Sequence, residues 1–335
     1  MKLLHVLSAL VILGVTEAHA STLENVVKRG SVRCSVTAGT PGFSLPNNDG
    51  KYVGLDVDVC RAVAAAIFGD PEKVTFIPLT AASRFTALQS GEIDILLNTT
   101  TWTLGREATN GILFAGVNYY DGQGILVRSG EIKSARELDG ATVCTNQGST
   151  TELNLVDFFR THRTKNEIVA FASQQEALNA YQAGRCDAFS SDRSVLYAYR
   201  SKLNDPGRHI VLDEVLSKEP LGPSVRQGDD RWFNVVRWCL YALHAAEEAG
   251  LTSENVDNVA STTTNPDILR LLGKEGTFGT ALGLRNDWAY QIISKVGSYA
   301  EIFERNIGEK SPLKIARGIN ASWKNGGLHY APPIR

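Results

Sequence analysis

Two segments of this sequence repeat one design: a helical stretch closed by Gly, then a Gly-x-x-Asp step, then a short apolar strand. The first runs through Ala87-Leu88, Gly91 and Asp94, and the second through Ala177-Leu178, Gly184 and Asp187. Glycine after the helix predicts a left-handed stop there. Around each unit, strand and helix signals alternate. In the first series SVRCSVT reads as a strand, Leu55 to Phe68 as a helix, Val74 to Ile77 as a strand, Ser83 to Gln89 as a helix and Ile93 to Leu97 as a strand. In the second, ATVCTNQ, EIVAF and CDAFSS are strands, separated and followed by helices over Thr151 to Thr161, Gln175 to Ala183 and Arg193 to Lys202. This order predicts right-handed crossovers and two mostly parallel sheets flanked by helices.

The repeat also places chemistry. Five residues past each Asp lie Thr99 and Asp192. If both sheets are built alike, these face each other from matching strand ends, the edge where open α/β folds bind ligands. Beyond Thr99 the chain carries Thr101, Trp102 and Arg106. Clustered hydroxyls beside one guanidinium suit a small carboxylate, because Arg grips carboxylate through two parallel charge-assisted bonds. Trp102 reads as packing beside the site. In NQGSTTELNLVDFF a strand turns through Gly148 into a helix, and its N-terminal N–H groups suit an anion near Ser149 and Thr150. The same residues also fit a plain helix cap. Asp192 has the same two readings: a cap for the following helix, or an anion presented to an ammonium group.

Two segments link the series. NYYDGQGILVRSG is extended and glycine-rich, and LSKEPLGPSVRQGDD holds Pro220, Gly222 and Pro223. They read as paired crossovers between lobes, where few residues absorb a rotation. Helices follow over Trp232 to Ala249, Pro266 to Leu272 and Trp288 to Asn306, and the tail from Ile315 reads as a packed irregular cap. The expected division is 1–20 signal peptide, 21–125 first lobe, 126–217 second lobe, and 218–335 a return to the first lobe with a C-terminal extension.

Residues 1–20 combine Lys2, an apolar core from Leu7 to Val15 and Ala18-His19-Ala20, the pattern of a cleaved secretory signal. Export makes disulfides plausible among the five cysteines. We expect Cys34 with Cys60 and Cys144 with Cys186, leaving Cys239 free in an apolar helix, although spacing alone leaves other pairings open. The net charge of −2 gives no reason to expect nucleic acid or an anionic membrane as partner. There is no HExxH, GxSxG, Walker loop or strand–GxGxxG–helix, and the histidines are scattered. The expectation is a binder with no metal, no cofactor and no catalytic residues.

Longer blocks carry a resemblance. GLDVDVCRAVAAAIFGD, RFTALQSGEID, TTWTLGRE, FAGVNYYDGQG, GRCDAFSSD, SKEPLGPSVRQGDD, NDWAYQIISKVGSYAEIFERNIG and the ending GGLHYAPP are similar to those of periplasmic solute-binding proteins of polar amino-acid ABC transporters, within them the general L-amino-acid-binding group. The resemblance implies a two-lobed type II periplasmic-binding-protein fold with two hinge crossovers, in a periplasmic monomer that delivers L-amino acids to a membrane permease driven by a cytoplasmic ATPase. It implies that Arg106 and Thr101, helped by Thr150, hold the α-carboxylate, and that Asp192, helped by Thr99, holds the α-ammonium. Small residues at Thr40 and Ala81, where narrow-specificity relatives are bulky, imply a roomy pocket. Asn98, where group members tend to carry Arg, argues against a strong preference for acidic side chains. The alternative is a dehydratase-like periplasmic enzyme on the same fold acting on a small carboxylic acid.

Overall fold

The structure is a computed structural model that describes residues 21–37, 39–130 and 132–335. The expected signal peptide, 1–20, lies outside the described residues.

Parallel strands organise both lobes, one pair in the first and three neighbours in the second. In the first, Val32–Val36 runs parallel to Val74–Pro78. The expected strand Ile93–Leu97 is reduced to isolated bridges, Cys34 with Ile95 and Leu96 with Ser224. The reason is local: the Leu97 N–H goes to the Ser35 hydroxyl at 3.0 Å, and the next two residues turn out of extended conformation. Ser224–Arg226 and Ile112–Phe114 extend this side antiparallel. In the second lobe Glu167–Phe171, Thr142–Asn146 and Ala188–Asp192 are parallel neighbours. The long strand Tyr119–Arg128 then pairs antiparallel with Ala188–Asp192.

The two Asp residues of the repeated unit do the same work. Asp94 Oδ2 accepts the Arg33 N–H at 2.8 Å, and Asp187 Oδ2 accepts the Thr142 N–H at 2.8 Å. Each thereby fixes the start of the neighbouring parallel strand. Gly91 and Gly184 both take positive φ, 76° and 74°, as a left-handed helix stop requires.

Both crossovers form one antiparallel ribbon, Lys218–Leu221 against Tyr119–Gly122. Glycine is required here by close approach: a Cβ on Gly222 would stand 2.0 Å from the Gly116 carbonyl oxygen. Helix Leu55–Phe68 is buried from Leu55 to Ala66 apart from Arg61, and its alanines let Trp288–Lys295 and Asp230–Glu248 pack closely against it. The single helix expected over Trp288–Asn306 is two, Trp288–Lys295 and Tyr299–Asn306. Gly297 at φ 100° breaks it, and a Ser298–Glu301 capping box starts the second part.

The disulfides are Cys34–Cys60 and Cys144–Cys186, and Cys239 is free and buried. They close loops of 26 and 42 residues, worth roughly 3.5–4 kcal/mol each by loop entropy. The tail packs as irregular turns around His329, which stacks on His244 with centroids 4.3 Å apart. Asn320 grips the first crossover reciprocally. Its Oδ1 accepts the Tyr120 N–H at 2.7 Å, and its Nδ2 donates to the Tyr120 carbonyl at 2.9 Å.

Candidate binding site between the lobes

The chain leaves the first sheet through Asn98 and Thr99, both non-glycine residues at positive φ, 57° and 44°. A β-branched residue there is strained and needs support. Asp56 supplies it: one oxygen accepts the Thr99 N–H at 2.8 Å and the other accepts Asn118 Nδ2 at 2.8 Å. Burial pushes the Asp56 carboxyl up to about 6, against these two bonds. The bend aims Thr100 and Thr101 inward and starts helix Leu104–Asn110, whose first turn Thr103 caps through the Arg106 N–H at 3.2 Å.

Arg106 is buried. Its Nη1 donates to the Thr101 carbonyl at 2.7 Å, and its guanidinium lies 5.4 Å from the centroid of Phe85. On the same ring, at 5.0 Å, sits a second buried guanidinium, Arg84. Arg84 Nη1 reaches the Asn98 carbonyl at 3.4 Å, and no carboxylate of the described residues comes within 4.0 Å of it. Trp102 stacks on Phe114 at 5.7 Å and 10°.

From the second lobe, helix Thr150–His162 points its N-terminus here. Ser149 is committed to structure: its hydroxyl donates to the Asn146 carbonyl at 2.6 Å and accepts the Glu152 N–H at 3.2 Å. The cap reading holds for that residue. For Asp192 it does not, because its side chain makes no capping bond to the helix it precedes. Among the described residues no donor is within hydrogen-bonding distance of the Asp192 carboxylate, although the residue is only 6% exposed. Burial first, then the nearby carboxylates of Asp121 and Glu219, hold its proton affinity well above the usual range, while Arg106 and Arg84 pull the other way. Burial likewise lowers Arg106, opposed by Glu219 and Asp192.

Thr101 and Thr150 meet across the lobes, hydroxyl to hydroxyl at 3.4 Å. Both also donate to one oxygen of Glu219, at 2.6 and 2.8 Å. A threonine hydroxyl has one proton, so neither can offer that proton to a ligand carboxylate while this arrangement lasts. Backbone N–H groups and Arg106 remain for that task. Beside this cluster opens a cavity of about 310 Å³, lined by Thr99, Asn98 and Arg84 from one lobe and Asn146, Gln174 and Tyr199 from the other. Thr40 and Ala81 also line it, and Thr40 donates to Gln174 at 3.1 Å across the cleft. Arg106, Asp192, Thr101 and Thr150 do not line this volume; the first three are buried and Thr150 is half-buried.

The sequence reading overlooked Asp56, Arg84, Asp121 and Glu219. Asp121 accepts the Ser194 hydroxyl and the Gly122 N–H, and burial raises it to about 6. A sequence signal existed for Glu219: an acid set directly before Pro220 in a Pro- and Gly-rich crossover. Among the described residues there is no His, Cys, Asp and Glu grouping that could hold a metal, and no helix long and apolar enough to cross a membrane.

Comparisons with known proteins agree with this architecture. The chain is 53% identical over 331 residues, 98% of this chain and 97% of the relative, to the general L-amino acid-binding periplasmic protein AapJ of Rhizobium johnstonii. It is 49% identical over 319 residues, 95% of this chain and 94% of the relative, to the glutamate/glutamine/aspartate/asparagine-binding protein BztA of Rhodobacter capsulatus. A solved ABC transporter periplasmic binding protein of Brucella ovis with glutathione bound superposes with a TM-score of 0.92 at 53% identity, covering 95% of this chain and 100% of that one. These likenesses extend to the type II periplasmic-binding-protein fold itself, two α/β lobes joined by two crossovers. Residues 32–255 match the bacterial extracellular solute-binding proteins, family 3, and the chain belongs to that family.

Proposed function

We propose that this chain captures L-α-amino acids between its lobes with broad specificity and hands them to the permease of an ABC transporter in the periplasm, itself making no chemical change. The observation that carries this reading is Asp192, a buried carboxylate left without a protein donor in a site that also holds two buried guanidiniums. A buried charge without a partner costs several kcal/mol, on the order of 3–5. An α-ammonium would satisfy Asp192, and an α-carboxylate would satisfy Arg106 together with backbone N–H groups near Thr101 and Thr150. Thr99 stands on the cavity side, where it can help place the ammonium. The names of the relatives AapJ and BztA, both amino-acid binders, support the same ligand class. Asymmetric contacts with both lobes favour the closed state, so capture is a population shift.

Side-chain preference follows from Arg84. The cation absent at Asn98 is supplied from the neighbouring helix, so glutamate and aspartate gain a partner in the cavity and amides a donor. The cavity also exceeds what a short side chain fills. Together with the glutathione-bound relative, this favours γ-glutamyl peptides as additional ligands, since a γ-glutamyl group keeps its α-ammonium and α-carboxylate free.

A micromolar ligand corresponds to about 8 kcal/mol of binding free energy, and ligand at a hundred times Kd stabilises by about 2.7 kcal/mol. A thermal-shift panel of the twenty amino acids plus glutathione tests the proposal. Upward shifts with several L-amino acids are expected, glutamate among them; no shift with any would sink it.

A further inference from the structure

We propose that Glu219 is a positioning residue that sets the balance between open and closed lobes, by gathering hydroxyl and amide protons from both lobes onto one carboxylate of the crossover. Only its ligand-binding arm rests on the amino-acid reading above.

Glu219 lies in the strand Lys218–Leu221 and is 1% exposed. Oε2 accepts from Thr101 on the first lobe at 2.6 Å and from Thr150 on the second at 2.8 Å. Oε1 accepts from Asn154 Nδ2 of the second lobe at 2.9 Å and from the hydroxyl of Ser217 on the crossover itself. Both oxygens act purely as acceptors, the pattern of an ionised carboxylate with its lone-pair directions filled. Among the described residues no cation lies within 4.0 Å to neutralise it. The donors hold it, and they come from three parts of the molecule that move relative to one another when a cleft opens.

A charge-assisted bond is about twice as strong as a neutral one. Thr101 and Thr150 can share Oε2 only while their hydroxyls are neighbours, at 3.4 Å. Separating the lobes takes one of them away. The closed arrangement therefore keeps a bond that the open one replaces with water. Such a bias multiplies every ligand's apparent affinity by the same factor, because it acts on the fraction of protein competent to bind and touches no ligand atom. Glutamine at this position keeps one acceptor oxygen and turns an amide N–H₂ against donors, so the shared contact fails with little change in shape.

The experiment pairs Glu219→Gln with Thr101→Val, which removes only the first lobe's donor. Spin labels at Asp49→Cys and Thr161→Cys, both exposed, report interlobe distance in ligand-free protein by double electron–electron resonance. Calorimetry gives Kd for a set of amino acids. Glu219→Gln is expected to lengthen the distances and raise Kd about tenfold for every ligand, with Thr101→Val shifting both in the same direction. Unchanged distances, or Kd changed for some ligands only, would overturn the proposal even if the melting temperature falls. Should Glu219→Gln not fold, Thr101→Val decides by the same two readings. If the wild type binds no amino acid, capture falls separately and the distances alone decide the role of Glu219.

Discussion

The carboxylate of Asp56 accepts the backbone N–H of Thr99 at 2.8 Å and so holds a β-branched residue at φ 44°, where threonine seldom sits. The support comes from the first turn of helix Leu55–Phe68, and Asn118 occupies the other oxygen. Asp56→Asn leaves one acceptor facing two donors. We expect a loss of about 2 kcal/mol in urea unfolding together with weaker ligand binding. An unchanged unfolding midpoint would show that Thr99 holds its conformation unaided.

The two guanidiniums beside Phe85 separate by substitution. Arg106→Ala should weaken all L-amino acids a hundredfold or more, about 2.7 kcal/mol, because it removes the partner of the group they share. Arg84→Met should weaken glutamate and aspartate by tenfold or more and leave leucine nearly unaffected. Calorimetric titration of both variants with the three ligands checks this. An equal loss for leucine in Arg84→Met would place that guanidinium on the α-carboxylate instead.

Proton release should accompany capture. In the ligand-free protein, burial and the neighbours Asp121 and Glu219 raise Asp192 well above the usual carboxylate range, with Arg106 and Arg84 opposing. A raised carboxyl contributes stability present below its unfolded value near 3.9, and that contribution is lost as pH rises through the folded value. An ammonium ligand favours the ionised form. Binding therefore expels a proton and weakens as pH falls below the raised value, by up to about a decade in Kd per pH unit. Titrations in two buffers of different ionisation enthalpy read the proton directly; identical heats at every pH tested would contradict the assignment.

The His244–His329 stack predicts acid sensitivity. Burial, then Arg317, lowers His244 to about 3, while burial, then His244 and Arg317, lowers His329 to about 2. The sign is opposite to that of Asp192: the stability is full above the unfolded value near 6.5 and is lost as pH falls toward 3. At pH 5 each neutral buried imidazole has lost about 2 kcal/mol. His329→Gln should show a smaller fall in melting temperature between pH 7 and 5 than the wild type, and an equal fall would assign the sensitivity elsewhere.

Much of the fold was readable because its signals are local. The Gly91–Asp94 and Gly184–Asp187 steps announce a helix stop and a strand start, and the two Asp carboxylates perform the same bond in both lobes. Thr99 and Asp192 are reached by counting five residues from those two Asp anchors, and Arg106 was read from the hydroxyl-rich segment that follows Thr99. Ser149 and Asp192 were not separable in advance, since both sit before a helix and only coordinates show which side chain bonds to it. Arg84 and Glu219 stayed hidden because their roles come from the meeting of distant segments. Nothing near Glu219 in sequence tells that Thr101 and Thr150 will arrive at the same oxygen. The break at Gly297 was missed because apolar periodicity continues across it.

The reciprocal amide grip of Asn320 on Tyr120 binds the C-terminal tail to the ribbon about which the halves would swing. A displacement of Tyr120 must either carry the tail along or break both bonds. The C-terminal tail is thereby anchored through Asn320 to one strand of the crossover ribbon.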